Sequence, residues 1–162
     1  VLVGHSLGGL HANLFARLHP QETQAVLLLE AAHPDDPESH EGNEDQIAKS
    51  ISNLFSQPEE TFRNNLHAEI CAAEDVAREI ASAGPFPHVP LAVVTGAMEP
   101  PESLVTPYAL AVRRANQREL ARMSPRGRQI VAEQSGHFPQ VSEPQLVVDA
   151  LRALLSSPVA PA

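Results

Sequence analysis

The sequence predicts a layered α/β fold, in which short parallel strands form one sheet and helices pack on it. Two observations carry that expectation. Four short, nearly unbroken apolar runs, at residues 1–3, 25–29, 91–94 and 129–132, read as strands buried on both faces. Between and after them lie segments whose apolar residues recur at helical spacing, so strand and helix alternate along the chain.

The first run, Val1-Leu2-Val3, leads directly into Gly4-His5-Ser6-Leu7-Gly8. Leu7, Leu10, Leu14 and Leu18 then form a stripe that stops at His19-Pro20, because proline cannot continue a helix. The second run ends at Glu30 and gives way to the polar, acidic stretch HPDDPESHEGNED. Two helices are expected beyond it, one with Ile47, Ile51, Leu54 and Phe55 on a face. The other carries Phe62, Leu66, Ile70, Ala73, Ala77 and Ile80. No strand-like run interrupts them, so 33–84 reads as a helical insertion into a core formed by 1–32 and 85–156. Most apolar residues of the insertion are expected to pack on that core. The insertion would also serve as a cap or lid over a pocket. The third and fourth runs follow. Ser142-Glu143-Pro144-Gln145 then reads as a capping box with proline in the first turn. The helix it opens carries Val147, Ala150, Leu151, Leu154 and Leu155 on one face, and the small residues of 157–162 are expected to fray as a flexible tail.

Composition narrows the functional classes. A chain of 162 residues has room for one domain with a real core, and 43% hydrophobic against 19% charged residues belongs to a globular chain rather than a disordered one. The formal net charge of -9 argues against nonspecific attraction to nucleic acid or an anionic membrane. No apolar run approaches the roughly 20 residues of a membrane-spanning helix. Cys71 is the only cysteine, so no intrachain disulfide can form and an oxidising compartment is not implied; a cytoplasmic setting is the expectation. His33 and His40, with Asp35, Asp36 and Glu38 between them, lack a diagnostic ligand spacing, so a solvated loop is expected there and no metal. No cofactor is expected, and the expected partner is a small-molecule substrate.

Chemistry concentrates at Ser6. A serine framed by glycines, directly after an apolar strand and directly before an amphipathic helix, is G-x-S-x-G in its required setting. The sharp turn strains the backbone, and glycines at 4 and 8 are expected to remove collisions with neighbouring elements. The turn lifts the hydroxyl clear of the sheet, and the Leu7 amide at the helix start faces any oxyanion formed beside it. Ser6 needs a base to take its proton. Of eight histidines, His137 is the best placed, on a loop after the strand at 129–132. His11 and His19 fall on the first helix, and His67 and His88 have no supporting pattern.

Several stretches together resemble the C-terminal part of an α/β-hydrolase. VLVGHSLGGLHANLFARLHP is similar to that family's nucleophile elbow and following helix, and AVLLLEAAHP to its next strand and exit loop. VPLAVVTGAMEP resembles the strand whose end often carries the catalytic acid, and GRQIVAEQSGHFPQVSEPQLVVDALRALL the last strand, histidine loop and terminal helix. The resemblance implies about four mostly parallel strands flanked by helices, with Ser6 as nucleophile and His137 as general base; His5, inside the elbow, is not the base. It favours Glu99 as the acid, because this carboxylate falls three residues after Gly96, though the family usually has aspartate there. Glu30 is the alternative, at a strand end where a minority of the family places its acid, and Glu102 is a distant third.

Serine, histidine, carboxylate and a backbone oxyanion donor fit acyl transfer to water, with an ester or related acyl bond attacked through an acyl-serine. Serine rather than aspartate at residue 6 disfavours the dehalogenase and epoxide hydrolase branches. Acyltransferases and lyases share these residues, and a non-catalytic binding or scaffold protein on the same fold is the alternative of a different class. The resemblance further implies that everything the family places before the elbow is absent. Val1-Leu2-Val3 would then be an exposed apolar edge. The family's other oxyanion amide would be missing too, a loss worth about 100- to 1,000-fold in rate. Activity is therefore expected of the complete protein, and the 162-residue piece alone is expected to be poorly folded and nearly inert.

Overall fold

A computed structural model of the chain describes residues 1–35, 52, 58, 60–99 and 105–157, with side chains described outside 61–71. Four strands, β1 (Leu2–His5), β2 (Val26–Leu29), β3 (Leu91–Gly96) and β4 (Gly127–Ala132), form one sheet in the order β1-β2-β3-β4. Every neighbouring pair is parallel. Helix α1 (Gly8–Leu18) joins β1 to β2, and α2 (Glu60–Ser82) precedes β3. Helix α3 (Pro107–Arg122) lies between β3 and β4; the short α4 (Pro139–Ser142) and α5 (Pro144–Leu155) close the chain.

The central strands read as continuous apolar runs because helices cover both faces of the sheet. Successive side chains of a strand point to opposite faces. Val26 and Leu28 of β2, with Leu91 and Val93 of β3, pack against Ala12 and Ala16 of α1 and Leu120 and Ala121 of α3. Leu27, Leu29, Ala92 and Val94 face the other way, onto Ala150 and Leu154 of α5. The edge strands are less covered, and Val3 is 53% exposed. Helix α2 buries Ala73, Val76 and Ile80 against Leu10 of α1, so the second half of its expected stripe does pack on the core. Its first half, Phe62, Leu66 and Ile70, has no described side chains. The helix expected at Ile47, Ile51, Leu54 and Phe55 lies outside the described residues, as do positions 158–162 of the tail.

Three local features depart from the sequence reading. The first is α3, which is not among the expected elements and carries no readable apolar stripe because its inner face is partly polar: Asn116 and Gln117 are buried beside Leu120 and Ala121. It starts cleanly nonetheless, with the Thr106 hydroxyl accepting from the Ala109 N–H at 3.2 Å and Pro107 in the first turn. The second is the capping box at Ser142. That residue ends α4, and its hydroxyl donates to Ser135 Oγ and the Phe138 carbonyl, so α5 begins without a side-chain cap. The third is the second glycine of the serine turn. A Cβ on Gly4 would lie 2.6 Å from the Gly8 carbonyl oxygen, as expected of a crowded turn, but one on Gly8 would meet nothing within 4 Å. The crowding falls instead on Gly9, where a Cβ would lie 2.4 Å from the Ala31 side chain.

A matched pair of substitutions checks that packing by urea denaturation. Gly9→Ala is expected to destabilise the chain by about 1–3 kcal/mol, the usual cost of overpacking. Gly8→Ala, in a helix with open space beside it, is expected to be neutral or to stabilise by up to about 1 kcal/mol. Equal midpoints for the two variants would contradict the close approach of α1 to the segment after β2.

Candidate active site

The parallel registers bring the carboxyl ends of the strands into one row. His5 pairs with Leu29 and Leu29 with Val94, so Ser6 and Glu30, the next residue of each chain segment, emerge side by side. Both take positive φ, 53° at Ser6 and 44° at Glu30. Such left-handed backbone at a non-glycine residue costs of order 1–3 kcal/mol. Backbone hydrogen bonds hold it. The Ser6 N–H donates to Leu29, the Glu30 N–H to Val94, and the Ala32 N–H to the Ser6 carbonyl.

His137 arrives from the loop after β4. Its Nε2 lies 3.1 Å from Ser6 Oγ. Two contacts fix the loop from opposite sides. His5 Nε2 donates to the His137 carbonyl at 2.7 Å, so His5 positions the loop. Beneath it, the Glu143 carboxylate accepts from the fully buried Ser135 hydroxyl at 2.6 Å and the Gln134 N–H at 2.8 Å. Gly96 lets the loop sit down on β3, since a Cβ there would lie 2.2 Å from the Gly136 carbonyl oxygen.

The two carboxylates singled out in the sequence occupy different environments. Glu30 has its side chain 2% exposed. Its Oε1 accepts from the Gly96 N–H at 2.7 Å, and its Oε2 lies 3.7 Å from His137 Nδ1. Glu99 is 58% exposed and accepts from Arg114 at 2.6 Å; among the described residues it makes no contact with His137. Glu102 lies outside the described residues. The Leu7 N–H, at the start of α1, donates to nothing among the described residues.

One further side chain enters the site. Arg113, on the inner face of α3, donates through Nη2 to Glu30 Oε2 and lies 3.2 Å from His137 Nδ1. A guanidinium can only donate. With Nδ1 accepting from it, the proton of a neutral ring would fall on Nε2, facing Ser6 Oγ. Burial, and secondly the positive charge of Arg113, push His137 down from 6.5 to about 4. Burial likewise lowers His5. Between about pH 6.5 and pH 4 the unfolded chain thus binds a proton at His137 that the folded chain does not. Stability from this group is complete above 6.5 and is lost as pH falls through that window. His33, buried on the exit from β2, faces Glu119 at 3.6 Å and Asp35 at 4.0 Å. No group of three metal-binding side chains occurs among the described residues.

Sequence reasoning missed Arg113 and Glu143. Glu143 had a readable place next to the last helix, but its contact with Ser135 is made across a turn and leaves no periodic trace. Glu143→Ala is expected to lower stability by about 1–3 kcal/mol, because it strands the buried Ser135 hydroxyl. An unchanged melting temperature would show that the contact does not hold the loop.

A model of the alpha/beta hydrolase family matches residues 1–150. No curated protein matches the sequence. Among solved structures, a probable hydrolytic enzyme from Pseudomonas aeruginosa aligns at TM-score 0.57 and 17% identity, over 96% of this chain and 62% of its own. An esterase from Exiguobacterium antarcticum aligns at 0.55 and 18%, over 97% and 66%. A thermophilic esterase from Thermogutta terrifontis, with malate bound, aligns at 0.54 and 23%, over 96% and 64%. The chain thus spans 62–66% of the length of these structures, and at such identities the likeness is one of fold.

Proposed function

The chain belongs to the α/β-hydrolase family, and on that premise we propose that it is the site-bearing part of a serine hydrolase acting on a small-molecule ester or related acyl bond. The contact of 3.1 Å between Ser6 Oγ and His137 Nε2 carries the reading. Ser6 is the nucleophile and His137 the general base. Oγ attacks the acyl carbon while Nε2 takes its proton, and the oxyanion that forms meets the free Leu7 N–H. Collapse to the acyl-serine expels the alkoxide, which takes the proton back from Nε2. Water then repeats the sequence and releases the acid. Glu30, rather than Glu99, is the acid in this reading. It is buried beside Nδ1, where a carboxylate stabilises the imidazolium formed in the transition state, whereas Glu99 is solvated and paired with Arg114.

A fluorophosphonate probe is expected to add once to the wild-type chain and not to Ser6→Ala, read by intact mass. Labelling that persists in Ser6→Ala would remove Ser6 from the nucleophile's role. Glu30→Gln keeps the shape and the acceptor for the Gly96 N–H, and is expected to slow labelling about 100-fold or more. Glu99→Gln is expected to stay within about threefold, as befits an exposed pair. The reverse order would return the acid role to Glu99.

The pH profile supplies a separate check. Because His137 titrates at about 4, the neutral base persists well below its ordinary range. Labelling is expected to hold its plateau through pH 6 and to halve near pH 4. Half-loss at about 6.5, the ordinary histidine value, would mean that the imidazole is not desolvated as described.

A further inference from the structure

The reading above requires a histidine tautomer that the geometry does not display. To act as base, His137 must carry its proton on Nδ1, toward Glu30, and its lone pair on Nε2, toward Ser6. The contacts set the opposite arrangement. Glu30 Oε2 stands 3.7 Å from Nδ1, beyond a hydrogen bond. Arg113 Nη2 stands nearer, at 3.2 Å, and occupies the same carboxylate oxygen. We propose that Arg113 is a positioning residue that latches the site in a resting state: engaged as seen, it claims both Glu30 and Nδ1, and its withdrawal hands the carboxylate to the imidazole and arms Ser6.

This inference rests on the serine-hydrolase reading, but its physical content is separate. Of the latched pair, Glu30 is fixed. Its backbone is locked by the sheet, its side chain is 2% exposed, and the Gly96 N–H holds its other oxygen. Arg113 is the member free to move. Its side chain is 33% exposed, and it enters from a helix rather than from the sheet. Beside it lies a cavity of about 20 Å³, walled by Gly96, Met98, Leu110 and Arg114 as well as Arg113 and backed by Glu30. That space holds about one or two water-sized groups, enough for a guanidinium edge to shift off the carboxylate. When it does so, no charge is left uncompensated at the reacting moment, because the imidazolium formed beside Glu30 replaces the guanidinium as its counter-ion.

Histidine tautomers are directly readable from nitrogen-15 chemical shifts, whether or not the chain turns anything over. The wild-type chain at pH 7 is expected to show His137 protonated at Nε2. Arg113→Met, which removes the donor and keeps much of the length, is expected to show it protonated at Nδ1. The same substitution is expected to raise the rate of Ser6 labelling about 10-fold or more, since a misplaced imidazole proton is worth up to about 10,000-fold in related sites. It should also move the acid limb of labelling upward from about 4, because one of its two causes is gone. A merely structural arginine would instead give slower labelling and an unchanged tautomer. A wild-type ring already protonated at Nδ1 overturns the latch by itself, even if Arg113→Met fails to fold. The tautomer switching as expected, with no labelling in either chain, would uphold the latch and count against the hydrolase reading alone.

Discussion

The registry of four parallel strands is the constraint on which the rest of the molecule depends. Ladder hydrogen bonds continue one residue past the ends of β1, β2 and β3, from Ser6 to Leu29, from Glu30 to Val94 and from Ala97 to Ala132. They place the Ser6 hydroxyl, the Glu30 carboxylate and the approach to the histidine loop at the carboxyl edge, where α/β folds hold their sites. A slip of one residue in β2 would turn its alternate side chains to the wrong faces and carry Glu30 out of its place. The fully buried Val26, Leu28, Leu91 and Val93 prevent the slip, and their burial offsets the strained backbone at Ser6 and Glu30. Core and site are thus two readings of one register.

That edge then faces an electrostatic problem. A carboxylate as enclosed as Glu30 needs compensation, and two groups stand ready to give it, Arg113 and His137. They do not give it equally. A guanidinium is charged at any ordinary pH, whereas the desolvated His137 is neutral and, in the reaction proposed above, would become a counter-ion only on taking the Ser6 proton. In the proposed reaction the resting site therefore favours arginine and the reacting site would favour histidine. The loop network of Glu143, Ser135 and Ser142 has no such choice to make. It is satisfied in one arrangement and serves to keep the imidazole at a fixed height above Ser6.

The contrast explains what could be read in the residues alone. Strands β2 and β3 announced themselves because burial on both faces leaves unbroken apolar runs, and Ser6 because a G-x-S-x-G turn between strand and helix is rare without a purpose. His137 followed from its place after β4. The two carboxylates could not be separated by spacing. What distinguishes them is direction: a φ of 44° turns Glu30 back under the sheet's edge, while Glu99 runs on to solvent and Arg114. No pattern of residue types encodes that turn, because glutamate rarely adopts it and nothing nearby advertises it. The same holds for Gly8 and Gly9, where the motif names the first and the packing against Ala31 needs the second.

Helix α3 was the largest element to escape, and its illegibility and its importance have one cause. An inner face made of Arg113, Asn116, Gln117 and Leu120 keeps helical spacing, but three of the four are polar, so hydropathy sees no stripe. Buried polar groups call for partners; Asn116 Nδ2 and Gln117 Oε1 have none among the described residues, while the partners that Gln117 Nε2 and Arg113 do find belong to one segment. Gln117 Nε2 donates to the Ala31 carbonyl at 2.7 Å, and Arg113 takes the carboxylate of Glu30 one residue earlier. The helix therefore holds the backbone just past β2 with one side chain and the reactive end of that strand with another. A leucine-faced helix would have packed as well against Val93 and Leu28, and would have been easy to find. It would have had no means of touching the charge on Glu30, which is why polarity on that face is a property of the site rather than a flaw in the core.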